Sequence, residues 1–222
     1  MGDLVELAER VDQLLLAFYG HPIWRAPLPA VDELVSTILS QNTYDSNRDK
    51  AFNALRHKFP TWEAVSRADP VEVITAIRPA GLSNQKGPRI QQVLLQILKE
   101  RGSLNLDFLK QLPLDKARAW LTRFKGVGPK TAAIVLLFSL GLPAFPVDTH
   151  IFRVTGRVGL RPEGMNVEAA HLHLESLFPP DSYADAHLNI IRLGREICTA
   201  RQAHCSICPL QSVCNYARNQ KN

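Results

Sequence analysis

Six residues of this chain have the types and spacing to do chemistry: Lys130, Asp148 and four cysteines. Lys130 lies in "FKGVGPKTAAIVLLFSLG", residues 124–141, just inside the start of an otherwise apolar helical pattern. A lysine in a first helical turn faces the positive end of the helix dipole, which disfavours its ammonium form. Partial burial would lower its pKa further. A lysine that gives up its proton easily is a nucleophile able to form a Schiff base; the plainer roles are a phosphate contact or a snorkelling surface residue. Asp148, 18 residues on in "FPVDTHIFRVTGRVG", precedes a new helical pattern and is its natural N-cap. Backbone N–H groups would keep that carboxylate ionised, a fixed negative charge suited to a developing cation.

Cys198, Cys205, Cys208 and Cys214 form C-x6-C-x2-C-x5-C within 17 residues, and no cysteine precedes them. In a reducing cytosol such crowding points to a metal or cluster site in preference to disulfides. Tetrahedral zinc and a [4Fe–4S] cluster both accept four thiolates, so the spacing leaves the two open. His204 is another zinc-binding type, which four cysteines make unnecessary.

The elements that position these residues are helical. Around Lys130, Gly126 and Gly128 permit a tight turn and Pro129 suits the first position of a helix. Gly141 is placed to end that helix in a left-handed conformation. With "LDKARAWLTRF" before it, the segment reads as helix, glycine turn, helix. Free N–H groups along Gly126, Val127 and Gly128 would cradle a phosphate without reading any base. The segment resembles the helix-hairpin-helix of DNA-binding proteins; a plain glycine-turn hairpin is the bland alternative. Three- and four-residue apolar spacing recurs over 31–41, 47–58, 70–77, 87–100, 115–124, 129–140, 148–158, 166–177 and 183–197. Breaks such as "FPTWEAV", "RPAGLSNQKGP" and "FPPDSYAD" separate them, and no stretch reads as a strand. The expectation is an all-α protein of about ten helices.

The bulk numbers exclude some classes and say little about the rest. With 45% hydrophobic and 21% charged residues among 222, the chain has the composition of a soluble globular protein. No apolar run reaches the ~20 residues of a membrane span. The N-terminal "MGDLVELAERVDQLLLAFYG" reads as an amphipathic helix and not a signal peptide, and Glu6 spoils a myristoylation motif. These features set cytoplasmic localisation as the expectation, nucleoid-associated in a prokaryote, with no membrane partner. A formal charge of +5 is a weak pointer to nucleic acid.

"FKGVGPKTA", "FPVDTHIFRV" and the C-terminal cysteine set, in that order, resemble the endonuclease III family of DNA glycosylases and abasic-site lyases. The resemblance runs from about Asp32 in "DELVSTILSQNT" to Cys214. It implies a two-domain helix-hairpin-helix glycosylase fold with the active-site cleft between the domains. A six-helix barrel would occupy 29–141, and a discontinuous helical domain, 1–28 with 142–222, would carry the cluster. It assigns the nucleophile to Lys130, the catalytic carboxylate to Asp148, and a [4Fe–4S] cluster to Cys198, Cys205, Cys208 and Cys214. Gln41 matches the residue that fills the gap left by an extruded base, and Leu82 in "AGLSNQK" matches the wedge that enters the stack. The partner would be double-stranded DNA with damaged bases or abasic sites, and the protein a monomer.

The implied reaction displaces a damaged pyrimidine by attack of Lys130 on C1′, then cleaves 3′ to the abasic site by β-elimination through the Schiff base. The alternatives within the resemblance are a uracil or T:G mismatch glycosylase and a non-catalytic iron–sulfur DNA-binding protein. Several positions depart from the family pattern. Leu193 replaces a histidine in "LGREIC", although Arg195 remains; "TARQAH" holds one arginine; and "SQNTYDSNRDKAF" differs from the usual "SAQATD". Thr37 stands where the adenine-specific branch has its glutamate, which with Lys130 argues against that branch. A cluster with four thiolates carries −2, so the holoprotein would sit near about +3 and charge is a poor witness for DNA binding.

Overall fold

The structure, a computed structural model, describes residues 2–23 and 26–220. Among them the chain is helical throughout, in the order α1 (Gly2–Tyr19), α2 (Ala30–Ser40), α3 (Asp45–Lys58), α4 (Trp62–Arg67), α5 (Pro70–Ala76) and α6 (Ser83–Arg101). There follow α7 (Leu114–Thr122), α8 (Pro129–Ile134), α9 (Thr149–Val158), α10 (Val167–Glu175), α11 (Tyr183–Glu196) and α12 (Asn215–Asn219). The nearest approach to extended pairing is a single bridge between Cys198 and Ala203. No helix among the described residues is long and apolar enough to cross a membrane.

The chain forms two compact units: Pro27–Leu142, and a second made of the segments up to Ala26 and from Pro143 onward. In the first, α2 is the central helix and buries nine of its eleven residues, Leu34, Val35, Ile38 and Leu39 among them. It packs on α3, α6 and α8. Fully burying each Leu or Ile side chain contributes ~1.5–3 kcal/mol, so the α2 face is a large part of what holds this unit together. Opposite it, Ile90, Val93, Leu94 and Ile97 line the inner face of α6 at three- and four-residue spacing. Gly87 lets α6 approach α5 closely: a Cβ there would meet the Ile74 side chain at 2.9 Å.

In the second unit α9 and α11 pack along each other and α1 lies against α11. Gly194 permits the first contact, because a Cβ there would lie 2.9 Å from the His150 Cβ. Phe145, Phe178 and Tyr183 form an aromatic core, stacked at 5.1 Å between the first two and edge-on at 5.3 Å between Phe145 and Tyr183.

Local signals explain several boundaries. Asp69 caps α5 through Val71 N–H, with Pro70 in the first turn, and Asn166 caps α10 through Ala169 N–H. The stretch "FPTWEAV", expected as a break, contains α4, capped by Thr61 at Ala64 N–H. Six residues between two prolines are too few to show a helical period. The helix expected over 129–140 is α-helical only to Ile134; Val135–Ser139 widens to a π-turn, with Leu140 N–H donating to Val135 O at 3.2 Å. Gly141 then ends it with φ +66°.

Candidate active site

The hairpin is built by α7, the turn 123–128 and α8. Gly126 adopts φ +88°, a left-handed conformation that costs other residues ~1–2 kcal/mol. A Cβ at Gly126 would also strike the Arg89 side chain, 2.0 Å from Cδ. Val127 is buried and its N–H donates back to Phe124 O at 3.0 Å. It therefore shapes the turn, while Gly128 stands exposed at the N-cap of α8. Pro129 is the first residue of α8 and half-buried Lys130 the second. The lysine thus stands in the first turn of α8, directly behind the glycine turn.

Gln41 leaves α2 at its C-terminus and reaches the hairpin. Its Nε2 donates to Gly126 O at 3.1 Å, and its Oε1 accepts from Arg89 Nη1 at 3.1 Å. Leu82 stands exposed at the N-cap of α6 with φ +49°. One turn behind Gln41, the Thr37 hydroxyl donates to buried Glu33 at 3.3 Å.

Asp148 caps α9. Its Oδ1 accepts from Ile151 N–H at 2.8 Å and its backbone O from Phe152 N–H at 2.9 Å. The carboxylate is half-buried and held by the helix start. Lys130 belongs to one compact unit and Asp148 to the other.

The opposite end of α9 holds the cysteine segment. Arg157 Nη1 donates to Cys198 Sγ at 3.3 Å and to Thr199 O at 2.7 Å, and Nη2 donates to Ala200 O at 3.3 Å. Arg153 Nε donates to Cys198 O at 3.1 Å, and its Nη2 to Gly194 O at 2.8 Å. The Cys214 thiol donates to Arg157 O at 3.4 Å, and the Arg157 guanidinium lies 4.7 Å from the Tyr216 ring centre. Two arginines four residues apart on α9 therefore fasten the loop that begins at Cys198. Leu193, at the departure from the family pattern, is a core residue of α11.

All four cysteines are free thiols in one unit. Burial pushes the Cys208 thiol up to about 11, and the charges of Cys198, Cys214 and Cys205 add to the rise. Burial likewise raises Cys214, with Cys198 and Cys205 contributing. Four thiolates gathered in one segment repel one another unless a cation sits among them, so the donor set fits a thiolate-bound metal centre. Among the described residues no three such side chains are already drawn into a closed ligand set.

Sequence reasoning missed Lys86, Arg89, Arg153 and Arg157. Lys86 had a legible signal: it stands four residues before Ile90 and continues the apolar face of Ile90, Val93, Leu94 and Ile97. The partners of the arginines are distant in sequence, and no spacing announces them.

Comparison with known proteins places this arrangement. The family described as HhH-GPD superfamily base excision DNA repair protein matches residues 35–180. A candidate DNA glycosylase of Arabidopsis thaliana is 37% identical over 76% of this chain; the chain spans 57% of that relative's length, and 12% of that of the plant DNA glycosylase/AP lyase ROS1. Endonuclease III of Sulfolobus acidocaldarius is 32% identical over 82% of this chain and 80% of its own. The solved structure of a non-covalent endonuclease III–DNA complex superposes with a TM-score of 0.82, 25% identity and 97% coverage of each chain. With its helical architecture, glycine hairpin and capped aspartate, the chain belongs to the HhH-GPD superfamily of base excision DNA repair proteins and, within it, to the endonuclease III family.

Proposed function

We propose that this protein is a bifunctional DNA glycosylase and abasic-site lyase acting on damaged pyrimidines in double-stranded DNA. The observation that carries the reading is Lys130 in the first turn of α8, directly behind the glycine hairpin. A backbone turn suited to a phosphate, next to a half-buried lysine, suits attack by its amine on a sugar carbon beside a gripped backbone.

The target nucleotide leaves the stack at a cost of a few kcal/mol, less where damage has already weakened pairing. Gln41 and Leu82 offset the lost stacking by entering the gap. The neutral amine of Lys130 attacks C1′ and the base departs with the bond electrons. Asp148 stabilises the positive charge that builds on the sugar and relays the amine proton. Ring opening gives the Schiff base, and loss of the C2′ proton expels the 3′ phosphate. Cys198, Cys205, Cys208 and Cys214 would hold a [4Fe–4S] cluster, which would supply a rigid cross-link to a segment with little core of its own.

Borohydride trapping on an abasic-site duplex tests the reading. A covalent protein–DNA adduct is expected with the wild type and none with Lys130→Gln. Absence of an adduct with the wild type, or an equal yield with the variant, overturns it. A panel of duplexes carrying thymine glycol, uracil and a T:G mismatch then assigns the base.

A further inference from the structure

One charged side chain in the Pro27–Leu142 unit takes no part in the reaction just described and lies fully inside the protein. Lys86 is 1% exposed, among the largest completely buried side chains of the chain. An ammonium group in such a place needs strong compensation. Its Nζ donates to Leu39 O at 2.8 Å and to Ala80 O at 2.7 Å. Both carbonyls belong to helical ends that lack backbone donors: Leu39 lies in the last turn of α2, and Ala80 ends the short helical turn Arg78–Ala80. Two residues beyond Leu39 stands Gln41, and two residues beyond Ala80 stands Leu82.

A second observation concerns the same two loops. Among the described residues, the non-glycine residues with positive φ are Asn42, at 51°, and Leu82, at 49°. Such conformations persist where the surroundings over-determine them. The strained positions thus sit next to Gln41 and at Leu82, on the loops that Lys86 ties together. One turn further along α6, Arg89 holds Gln41 against the hairpin carbonyl of Gly126.

We propose that Lys86 is a positioning residue whose buried ammonium locks the Gln41 loop and the Leu82 loop into one rigid block, so that both side chains enter a duplex together. The role rests on the assignment of Gln41 and Leu82 as inserted residues made under Proposed function. Lys86 touches no DNA. It sets the separation of two side chains that must breach the stack around one nucleotide, and a misplacement of ~1 Å in such a constellation costs up to about 100-fold in rate.

The test compares DNA that must be opened with DNA that need not be. Full-length holoprotein is trapped with borohydride on an abasic-site duplex and on the same abasic strand alone, under single-turnover conditions. Wild type reacts with both. Lys86→Met is expected to lower the duplex-to-single-strand rate ratio at least fivefold. It should have little further effect on duplex rate in a Gln41→Ala/Leu82→Ala background, because residues acting as one unit are not additive. A ratio that changes less than fivefold, or a full additional loss in that background, overturns the role, since general destabilisation would slow both substrates alike. Should Lys86→Met not fold, Lys86→Gln, which keeps two N–H donors without the charge, is read by the same ratio. A wild type that traps on neither DNA overturns the reaction assignment first, and this role with it.

Discussion

Gly126 shows how much one residue carries here. Its positive φ and the Arg89 side chain lying where a Cβ would project leave room for no other residue type without rearrangement. Gly126→Ala is expected to destabilise the protein by about 1–2 kcal/mol, the left-handed cost. It also displaces Arg89 and with it the hydrogen bond to Gln41. Urea denaturation reads the first effect; weakened binding to an abasic-site duplex reads the second. At Lys130 the contrast is chemical. Lys130→Gln keeps a polar side chain at a half-buried position, and trapping is expected to fall by ~10³-fold or more.

At the scale of the element, α9 does two things at once. Its N-terminus holds Asp148 as cap, and its later turns hold the cysteine loop through Arg153 and Arg157. Two aspartate variants separate the cap from the charge. Asp148→Asn retains an oxygen for Ile151 N–H, so stability should hold while turnover drops by ~10²-fold or more, the loss expected when a group stabilising transition-state charge goes. Asp148→Ala should add a stability loss of about 0.5–2 kcal/mol from the missing cap. Equal activity in Asp148→Asn and wild type would leave the aspartate a cap alone. α6 is the corresponding element in the other unit: its inner face is apolar core from Ile90 on, and its first turns carry Lys86 and Arg89 toward the loops.

At the scale of the whole molecule, stability depends on pH through Asp12. This buried carboxyl on α1 has an unpartnered Oδ1, and the pair His21–Asp185 stands nearby at 2.6 Å. Burial, then the Asp185 charge, raise its pKa from 3.8 to about 6, with His21 opposing. Between those values the folded state binds the proton and the unfolded state does not. Stability therefore falls as pH rises from 3.8 to about 6, and the penalty is complete above that. Asp12→Asn is expected to gain about 1–3 kcal/mol at pH 7, with the gain vanishing near pH 4, in urea denaturation series. Loss of the proposed metal centre should act more locally. Iron chelation is expected to speed amide exchange across 198–214 and leave Pro27–Leu142 unchanged. A yellow-brown preparation with about four irons supports the cluster, and a colourless, zinc-loaded, active one counts against it.

The sequence by itself determined what is local. Helical period, glycine turns and capping residues depend on neighbours within a few positions, so α9 with its Asp148 cap, the 126–128 turn and the left-handed Gly141 were all legible. The ordered set of hairpin, aspartate and cysteines was enough to point to the family. Elements too short to show a period were not, and α4 and the π-turn at Val135–Ser139 emerged only in three dimensions. Tertiary structure alone decided the long-range polar contacts: Gln41 on Gly126, Arg157 on Cys198, and Lys86 between Leu39 and Ala80. A buried lysine and an exposed one are the same letter. Only packing removes water from the ammonium and brings two carbonyls from separate helical ends to take its place.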